Sequence, residues 1–255
     1  MTKKVLIKKP RTTEVDGRRI TLSRFQKHLV DDSKDFSTEY GIIKKDDLKK
    51  DKVKVGKETY YIFNADFFDK YKKIKRLAQI ITLKDIGCII ANTGLNKDSK
   101  VLNAGTGSGA VDCFLGMVVK KVVSCDVRQE HLNVAKKNVE ELGVENVDFR
   151  KADVYKESSF KQKDFDVFIL DVPEPWQAVK TADKVLKKGG FLVSYSPNIN
   201  QTSQLVNSLS ESFIHEKTVE IIEREWSVKG KVLRPKMKDI GHTAFLTFAR
   251  KIKNL

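Results

Sequence analysis

The stretch that decides the fold is Val101-Leu-Asn-Ala-Gly-Thr-Gly-Ser-Gly-Ala110. Its short apolar run ends in alternating glycines, Gly105, Gly107 and Gly109, and an apolar segment, residues 111–119, follows. This order predicts a strand, a tight turn and a helix. Glycine accepts positive φ and lets a ligand approach the backbone, while the free N–H groups at the start of the helix face whatever lies above the turn. The stretch therefore predicts a site for a nucleotide-type cofactor.

Strands and helices alternate along the chain beyond this turn, which predicts an α/β fold with a parallel, doubly wound sheet. Strands are predicted at residues 121–126, 147–153, 165–171 and 191–195, and helices at 129–142 (closed by Gly143), up to 186 and at 202–213. Residues 187–190 form a predicted turn. Two long strands, near 217–226 and 242–250, finish the chain with a basic loop between them. Because no helix joins them, they predict a C-terminal antiparallel hairpin at one edge.

Short strand-like runs fill the N-terminal part and predict a small β domain, residues 1–63, ahead of a second domain, residues 64–255. The pair Asp16-Gly17 is a strong hairpin signal. Helices are predicted at 65–71 and 74–81, and Asp85 is a candidate cap for a helix that covers the sheet. The basic loops of the N-terminal domain fit a nucleic-acid contact, a structural appendage or an oligomer contact equally well.

The net charge of +15 is large for 255 residues. A polyanionic partner such as tRNA or rRNA accounts for it, and so does a lysine-rich, thermophilic proteome with charge on solvated faces. No apolar run reaches about 18 residues, so no membrane span is expected. The three cysteines have no metal-ligand spacing. They predict buried side chains in a reducing, cytoplasmic compartment and no metal site.

Carboxylates follow three of the predicted strands, where open α/β sheets bind ligands. The turn satisfies G-x-G-x-x-G/A, and Asp126, about twenty residues further on, ends the second strand where an acid holds ribose hydroxyls. NAD and S-adenosylmethionine both fit this pattern. Asp153 follows the third strand and can accept from an adenine amino group. Asp171 follows the fourth, and Trp176 of the segment after it offers a flat apolar wall.

Segments spread over residues 76–251 resemble the archaeal and bacterial tRNA adenine N1-methyltransferases that act on the T-loop. The sequence departs from that family at Thr82-Leu83, where Tyr-Pro is frequent, at Val172, often Leu, and at Asp126, often Glu. The matching segments are Arg76-x-Ala-Gln-Ile-Ile, Lys84-Asp85, Ala104-Gly-Thr-Gly-Ser-Gly-Ala, Asp126-x-Arg128, Ala135 with Asn138, Leu170-Asp-x-Pro-Glu-Pro-Trp, Pro197-Asn-Ile-x-Gln201 and Gly241-His-Thr-Ala-Phe-Leu-x-Phe-Ala-Arg-Lys251.

The resemblance implies a Rossmann-like class I S-adenosylmethionine-dependent methyltransferase sheet, a small N-terminal β domain and a homotetramer. It implies methyl transfer from S-adenosyl-L-methionine, leaving S-adenosyl-L-homocysteine, to N1 of an adenine at tRNA position 58, or at 57 as well. Asp171 is the expected catalytic residue and Pro173, Trp176 and His242 the expected substrate contacts. The expected cofactor contacts are Gly105, Thr106, Gly107, Ser108, Gly109, Asp126, Val127, Asp153, Val154 and Asp171.

In such a reaction adenine N1 displaces the sulfonium, and the base must leave its stack because N1 lies on a base-pairing edge. A carboxylate that accepts from N6 raises the nucleophilicity of N1 and stabilises the cationic product ring. Three alternatives stay open. They are a methyltransferase with another acceptor (another RNA base or a protein isoaspartyl carboxylate), an NAD-dependent dehydrogenase, and a non-catalytic RNA-binding subunit. The sequence has no recognisable Tyr-x-x-x-Lys pair after the fourth strand, which argues against the dehydrogenase. The intact glycine turn with Asp126 and Asp171 argues against the non-catalytic subunit.

Overall fold

The computed structural model describes residues 2–16, 18–77, 79–230, 232–237 and 241–254. The chain divides into unit 1, residues 1–74, and unit 2, residues 75–255. The limits expected from the sequence, 1–63 and 64–255, stay a prediction for the limits of independently folding domains. Within the described ranges, no helix is both long and apolar enough to cross a membrane.

Unit 1 is built on a four-stranded antiparallel sheet in the order β4-β1-β8-β7, with the hairpins β2-β3 and β5-β6 beside it. The strand β8 alternates, with Glu58, Tyr60 and Ile62 buried and the residues between them more exposed, as one covered sheet face requires. Its elements are β1 Lys3–Lys8, β2 Arg11–Val15, β3 Arg18–Ser23, β4 Gln26–Asp31, β5 Phe36–Thr38, β6 Gly41–Ile43, a 3-10 helix Lys45–Lys49, β7 Lys52–Val55, β8 Glu58–Asn64 and α1 Phe67–Tyr71.

The hairpin predicted at Asp16-Gly17 is confirmed, because β2 and β3 pair antiparallel on either side of it. Asp16 has a φ of 50°, in the left-handed region that tight hairpin turns use. Gly17 lies outside the described residues.

Unit 2 holds a seven-stranded sheet in the order β11-β10-β9-β12-β13-β17-β14. The first five strands are parallel, and β17 pairs antiparallel with both β13 and β14. This confirms the predicted fold class. Its elements are α2 Leu83–Thr93, β9 Lys100–Ala104, α3 Ala110–Gly116, β10 Lys121–Asp126, α4 Gln129–Leu142, β11 Val147–Lys151, a 3-10 helix Glu157–Ser159, β12 Phe165–Leu170, a 3-10 helix Pro175–Ala178, α5 Val179–Val185, β13 Leu186–Ser196, α6 Ile199–Asn207, β14 Phe213–Glu220, β15 Trp226–Lys229, β16 Val232–Pro235 and β17 Phe245–Lys251.

Helices cover both faces of this sheet, so its central strands bury apolar side chains on both faces. Along β12, Phe168 and Leu170 pack into one core cluster, while Val167 and Ile169 pack into the other. Burying each such side chain stabilises the fold by about 1.5–3 kcal/mol. The parallel pairing of β12 with β9 and β13 fixes the position of the residue that follows it.

The segment 74–81 is not helical, contrary to the sequence prediction, and α2 begins only at Leu83. Two N–H groups of this segment are bound by side chains from elsewhere in the chain: Lys75 donates to Asn138 Oδ1 at 3.0 Å and Leu77 to Ser108 Oγ at 2.8 Å. Residue 78 lies outside the described residues. Asp85 is also not the cap, because Thr82 occupies the N-cap position and Asp85 is buried in the first turn.

The last third of the chain differs from the prediction in its boundaries. Helix α6 begins at Ile199, not at 202, because the Asn198 side chain accepts from the Gln201 N–H and caps it. Strand β13 already begins at Leu186, so it includes the predicted turn 187–190. The final strands lie at Phe213–Glu220 and Phe245–Lys251, and the predicted basic loop between them carries the small hairpin β15-β16.

Candidate active site

A cavity of about 390 Å³ opens where the parallel strands β9 to β12 end. Its volume lies within the range of about 300–1,000 Å³ that small-molecule sites occupy. Polar and apolar groups from four strand ends converge on it. Its lining residues are Gly105, Cys125, Asp126, Val127, Arg128, Ala152, Asp153, Val154, Tyr155, Asp171, Val172, Pro173 and Glu174.

The glycine turn brings β9 against the end of β12. Gly105 has a φ of 90°, and a Cβ there would lie 2.0 Å from the backbone oxygen of Asp171. The N–H groups of Gly105 and Thr106 both donate to the Cys125 carbonyl, at 3.0 and 3.2 Å. Only glycine at position 105 therefore allows the turn to lie this close to the carboxylate-bearing segment.

Asp126 is 5% exposed and is held by four groups. Its Oδ2 accepts from the Gly107 N–H at 3.2 Å and lies 3.2 Å from His131 Nδ1, while Oδ1 accepts from the N–H and Nε of Arg128 at 2.9 and 3.3 Å. Burial opposes its ionisation, but the N–H groups of Arg128 and Gly107 outweigh burial, so the pKa of Asp126 is lowered. The cavity therefore contains one rigid, ionised carboxylate.

Asp153 organises the turn after β11. Its Oδ1 accepts from the Tyr155 N–H at 3.0 Å, and its Oδ2 lies 3.5 Å from Lys156 Nζ. The Tyr155 hydroxyl in turn accepts from the Glu174 N–H at 3.1 Å. This chain of bonds connects the turn after β11 to the segment after β12, so the two sides of the cavity are held together.

The side chain of Asp171, unlike those of Asp126 and Asp153, is not held by hydrogen bonds within the described residues. The backbone N–H of Asp171 donates to the Ala104 carbonyl at 2.9 Å. Burial, helped by the negative charge of Asp126, raises the pKa of Asp171 to about 7. The cavity thus holds a carboxyl group that can accept a hydrogen bond from a ligand and that changes charge near neutral pH.

The segment after Asp171 is fixed from outside the cavity. The Pro173 carbonyl accepts from Gln201 Nε2 at 2.8 Å, and Trp176 is half-buried in the 3-10 helix Pro175–Ala178. Glu174, exposed beside Pro173, completes the rim. These contacts hold the proline-rich segment against α6, which limits how far the wall of the cavity can move.

His242 binds protein groups with both ring nitrogens. Nε2 lies 2.9 Å from the Pro197 carbonyl oxygen, and Nδ1 contacts the Glu220 carboxylate. The ring also packs on Phe245, with the centroids 4.9 Å apart. Because both partners are acceptors, Glu220 first and the Pro197 carbonyl second raise the pKa of His242. Its nitrogens are therefore occupied within the fold.

A second polar cluster lies at the start of α2. Lys84 Nζ lies 2.8 Å from Asp85 Oδ1, and Asp85 Oδ2 accepts from the hydroxyls of Thr82 and Thr243 at 2.8 and 2.9 Å. The Tyr195 hydroxyl is buried beside this cluster. Burial, then the charges of Asp85 and Asp171, raise the pKa of Tyr195 to about 12, while the Thr243 hydroxyl acts in the opposite direction. The hydroxyl of Thr82, where the family often has Tyr, is thus used to hold Asp85.

The cavity gathers seven of the residues expected from the sequence: Gly105, Asp126, Val127, Asp153, Val154, Asp171 and Pro173. Six others lie outside its lining: Thr106, Gly107, Ser108, Gly109, Trp176 and His242. The Thr106 hydroxyl is 2.8 Å from Ser124 Oγ, and Ser108 Oγ accepts from Leu77, so both side chains serve the interior.

Several lining residues, and His131, which contacts Asp126, were not expected from the sequence. All the missed lining residues except Cys125, which ends β10 with Asp126, lie within four positions after a parallel strand. Ligands bind at the carboxyl ends of such strands, so a search of those positions would have found them. The missed lining residues are Cys125, Arg128, Ala152, Tyr155, Val172 and Glu174.

The donor set fits S-adenosylmethionine. A Cβ at position 107 would meet no atom closer than 3.8 Å, so the glycine turn leaves space for a ligand above it. Carboxylates at the ends of β10 and β11 offer acceptors for ribose hydroxyls and an adenine amino group. Across the described ranges, no group of three or more His, Cys, Asp or Glu residues is arranged to hold a metal ion.

Comparison with known proteins gives a consistent result. The model of the family described as "tRNA methyltransferase complex GCD14 subunit" matches residues 72–234. A Methanocaldococcus jannaschii protein named tRNA (adenine(57)-N(1)/adenine(58)-N(1))-methyltransferase TrmI is 36% identical over 84% of this chain and 87% of its own. The structure of the Aquifex aeolicus tRNA (m1A58) methyltransferase TrmI aligns with a TM-score of 0.79 and 27% identity, over 98% of this chain and 97% of that one.

A Thermotoga maritima structure described as a SAM-dependent O-methyltransferase aligns with a TM-score of 0.82 and 26% identity, over all of this chain and 94% of that one. These similarities confirm the Rossmann-like class I methyltransferase fold and S-adenosyl-L-methionine as its methyl donor. Because the family model matches more than half of the sequence and the archaeal relative matches most of it, the chain belongs to the tRNA methyltransferase GCD14/TrmI family.

Proposed function

We propose that this protein transfers a methyl group from S-adenosyl-L-methionine to N1 of an adenine in the T-loop of tRNA, at position 58 or at 57 as well. The observation that carries the proposal is the Asp171 carboxyl group, which lines the cavity and makes no hydrogen bond within the described residues. The name of the archaeal relative gives both positions, and that of the Aquifex aeolicus protein gives position 58.

When bound, the cofactor supplies a methyl group on a positively charged sulfonium. The glycine turn, Gly105 to Gly109 with Thr106 and Ser108, holds the methionine part with its backbone. Asp126 and Val127 hold the ribose, and Asp153 and Val154 hold the adenine end. The support for this arrangement is the lowered pKa of Asp126, which keeps an acceptor ionised where ribose hydroxyls bind, and the open space above Gly107.

Asp171 accepts a hydrogen bond from N6 of the flipped adenine. The bond directs electron density toward N1, and the carboxylate stabilises the positive charge that the ring gains on methylation. Only the ionised carboxyl group can do this without donating a proton of its own. Pro173 and Trp176 shape the wall on which the base lies. His242 holds the loop at Pro197 on the side of the site where the tRNA binds.

The assembly and location are parts of the same proposal. The positive charge of the chain supports tRNA binding, since phosphates attract lysine and arginine. A homotetramer and a cytoplasmic location follow from the resemblance to the tRNA methyltransferases and stay predictions.

The test is incubation with an unmodified tRNA transcript and labelled donor, followed by mapping of the modified nucleotide. The proposal predicts N1-methyladenine at position 58, with or without 57, and loss of label in a transcript that carries guanine at those positions. An Asp171→Ala variant that binds the cofactor should lose about 10² to 10⁴ in rate. Label on another base, or on an isoaspartyl peptide in place of tRNA, would show a different acceptor and refute the proposal.

A further inference from the structure

A second cavity, of about 670 Å³, lies at the opposite edge of the sheet from Asp171. It is formed where β12 and β13 begin and where the antiparallel β17 ends. Strand β12 has six residues, which places this edge about 20 Å from the carboxyl ends of the strands. The cavity is thus separate from the proposed cofactor site.

The lining of this cavity is dominated by lysine. Six lysines face three carboxylates, those of Glu157, Asp164 and Asp183, which leaves a net charge of +3. The lysines are Lys163, Lys180, Lys184, Lys187, Lys188 and Lys251.

One of these lysines is built into the protein. Lys251 is 3% exposed and donates to the Leu186 carbonyl at 2.8 Å and also to the Asp183 carbonyl. Burial lowers the pKa of Lys251, the charge of Lys163 lowers it further, and those of Asp183 and Asp164 oppose this. The floor of the cavity therefore carries a fixed amine that two backbone oxygens orient.

The exposed lysines form a path that leads back toward the catalytic edge. Lys180 and Lys184 are four residues apart on α5, so they share a face, with about 5–6 Å between their Cβ atoms. Helix α5 follows directly on the 3-10 helix that contains Trp176, and Lys188 lies beyond its other end. Within the described residues, Lys163, Lys180 and Lys188 make no ion pair, so their charges are free for an outside anion.

We propose that this lysine-lined cavity and the α5 path bind the phosphodiester backbone of the tRNA substrate, away from the reacting base. The inference rests on the proposed function, since it names a second contact for the same substrate. A polynucleotide is long enough to occupy the catalytic cavity and a site about 20 Å away at once, whereas a single nucleoside is not. Closely spaced phosphates also match closely spaced lysines, and neutralising phosphates is what gives RNA binding its affinity and salt dependence.

The test compares two triple variants that remove the same charge. The first carries Lys163→Gln, Lys180→Gln and Lys188→Gln, which break no ion pair of the described structure. The matched control carries Lys97→Gln, Lys120→Gln and Lys137→Gln, exposed lysines of unit 2 that lie outside this cavity. Binding of unmodified tRNA is measured by fluorescence anisotropy over a series of salt concentrations, with cofactor affinity measured separately.

The cavity variant should bind tRNA at least about tenfold more weakly at about 0.1 M salt. The negative slope of the logarithm of its association constant against the logarithm of salt concentration should become shallower by about two. The control triple should change the tRNA affinity and the salt slope much less. Both triple variants should keep the cofactor affinity of the wild type. Arginine at the three cavity positions should restore tRNA binding. Equal effects of the two triples, or an unchanged slope in the cavity variant, would overturn this inference. A failure of the wild type to methylate tRNA would instead overturn the proposed function, since the binding assay needs no turnover.

Discussion

Replacement of Asp171 by asparagine tests whether the carboxyl group of the site is held at a cost to stability. The pKa of Asp171 is raised from 3.8 to about 7. That shift of about three pH units corresponds to at most about 4 kcal/mol of unfolding free energy, at about 1.36 kcal/mol per unit. The side chain is half-buried, so solvent screening reduces the expected cost to about 1–2 kcal/mol.

The sign of the effect follows from which state holds the proton. Below the unfolded pKa both states are protonated and Asp171 costs nothing. Between that value and a pH of about 7 the unfolded chain releases the proton first, so the wild type loses stability as the pH rises. Above about pH 7 the cost is complete and constant. Asparagine cannot ionise, so the Asp171→Asn variant should be more stable than the wild type at about pH 8, with a gain that vanishes near about pH 4.

Urea unfolding followed by tryptophan fluorescence measures this difference. The chain has two tryptophans, Trp176 and Trp226, and both belong to unit 2, so the signal reports the unit that contains the site. The buried Asp112, whose pKa burial also raises to about 7, is common to both proteins and cancels in the difference. The matched control is Glu174→Gln, which removes an exposed carboxylate from the same segment.

The reasoning is refuted if Asp171→Asn gains no stability at alkaline pH, or if its gain is the same at every pH. The expected pattern is a variant that is more stable and slower, because a group kept for chemistry is rarely optimal for folding. In the wild type, methyl transfer at limiting tRNA should rise with pH through about 7 as Asp171 ionises, and this rise should be absent from the residual activity of Asp171→Asn.

Three further predictions concern the walls of the site. Asp126→Ala should weaken cofactor binding about 10–100-fold in a titration, because bonds to a charged acceptor contribute about 1.5–3 kcal/mol; an unchanged affinity would contradict its role. Gly105→Ala should destabilise unit 2 by about 1–3 kcal/mol from its positive φ alone, with more from the overlap with the Asp171 backbone, and a melting temperature equal to that of the wild type would show that the turn can move. Asn138→Ala removes bonds to Lys75 and Ser108, so amide hydrogen exchange at Lys75 and Leu77 should accelerate, while unchanged protection there would argue that other contacts hold the segment.

The local sequence pattern was sufficient to predict the elements whose bounds depend on residues close together in the chain. Helix α4 begins and ends where its periodicity and Gly143 predict, because an apolar face and a left-handed cap are properties of the sequence itself. Strand β10 also has its predicted bounds. The carboxylates after β10, β11 and β12 were predicted to meet because parallel strands end at one edge, and the cavity contains all three.

Tertiary structure decided what depends on residues distant in the sequence. The segment 74–81 has a helical pattern, yet Asn138 and Ser108 bind the N–H groups of Lys75 and Leu77, which a helix would use for its own bonds. The same holds for charge. Asp126 ends one strand and Asp171 follows another, but within the described residues only Asp126 receives N–H donors, so the pKa values of the two move in opposite directions.

The glycine turn shows the division most clearly. The sequence by itself determined that residues 105–109 form a turn between a strand and a helix, because alternating glycines after an apolar run allow little else. It did not determine that Gly105 must be glycine because the Asp171 backbone lies where a Cβ would be. That requirement, like the unsupported carboxyl group of Asp171 and the buried amine of Lys251, arises only when strands distant in the sequence pack side by side.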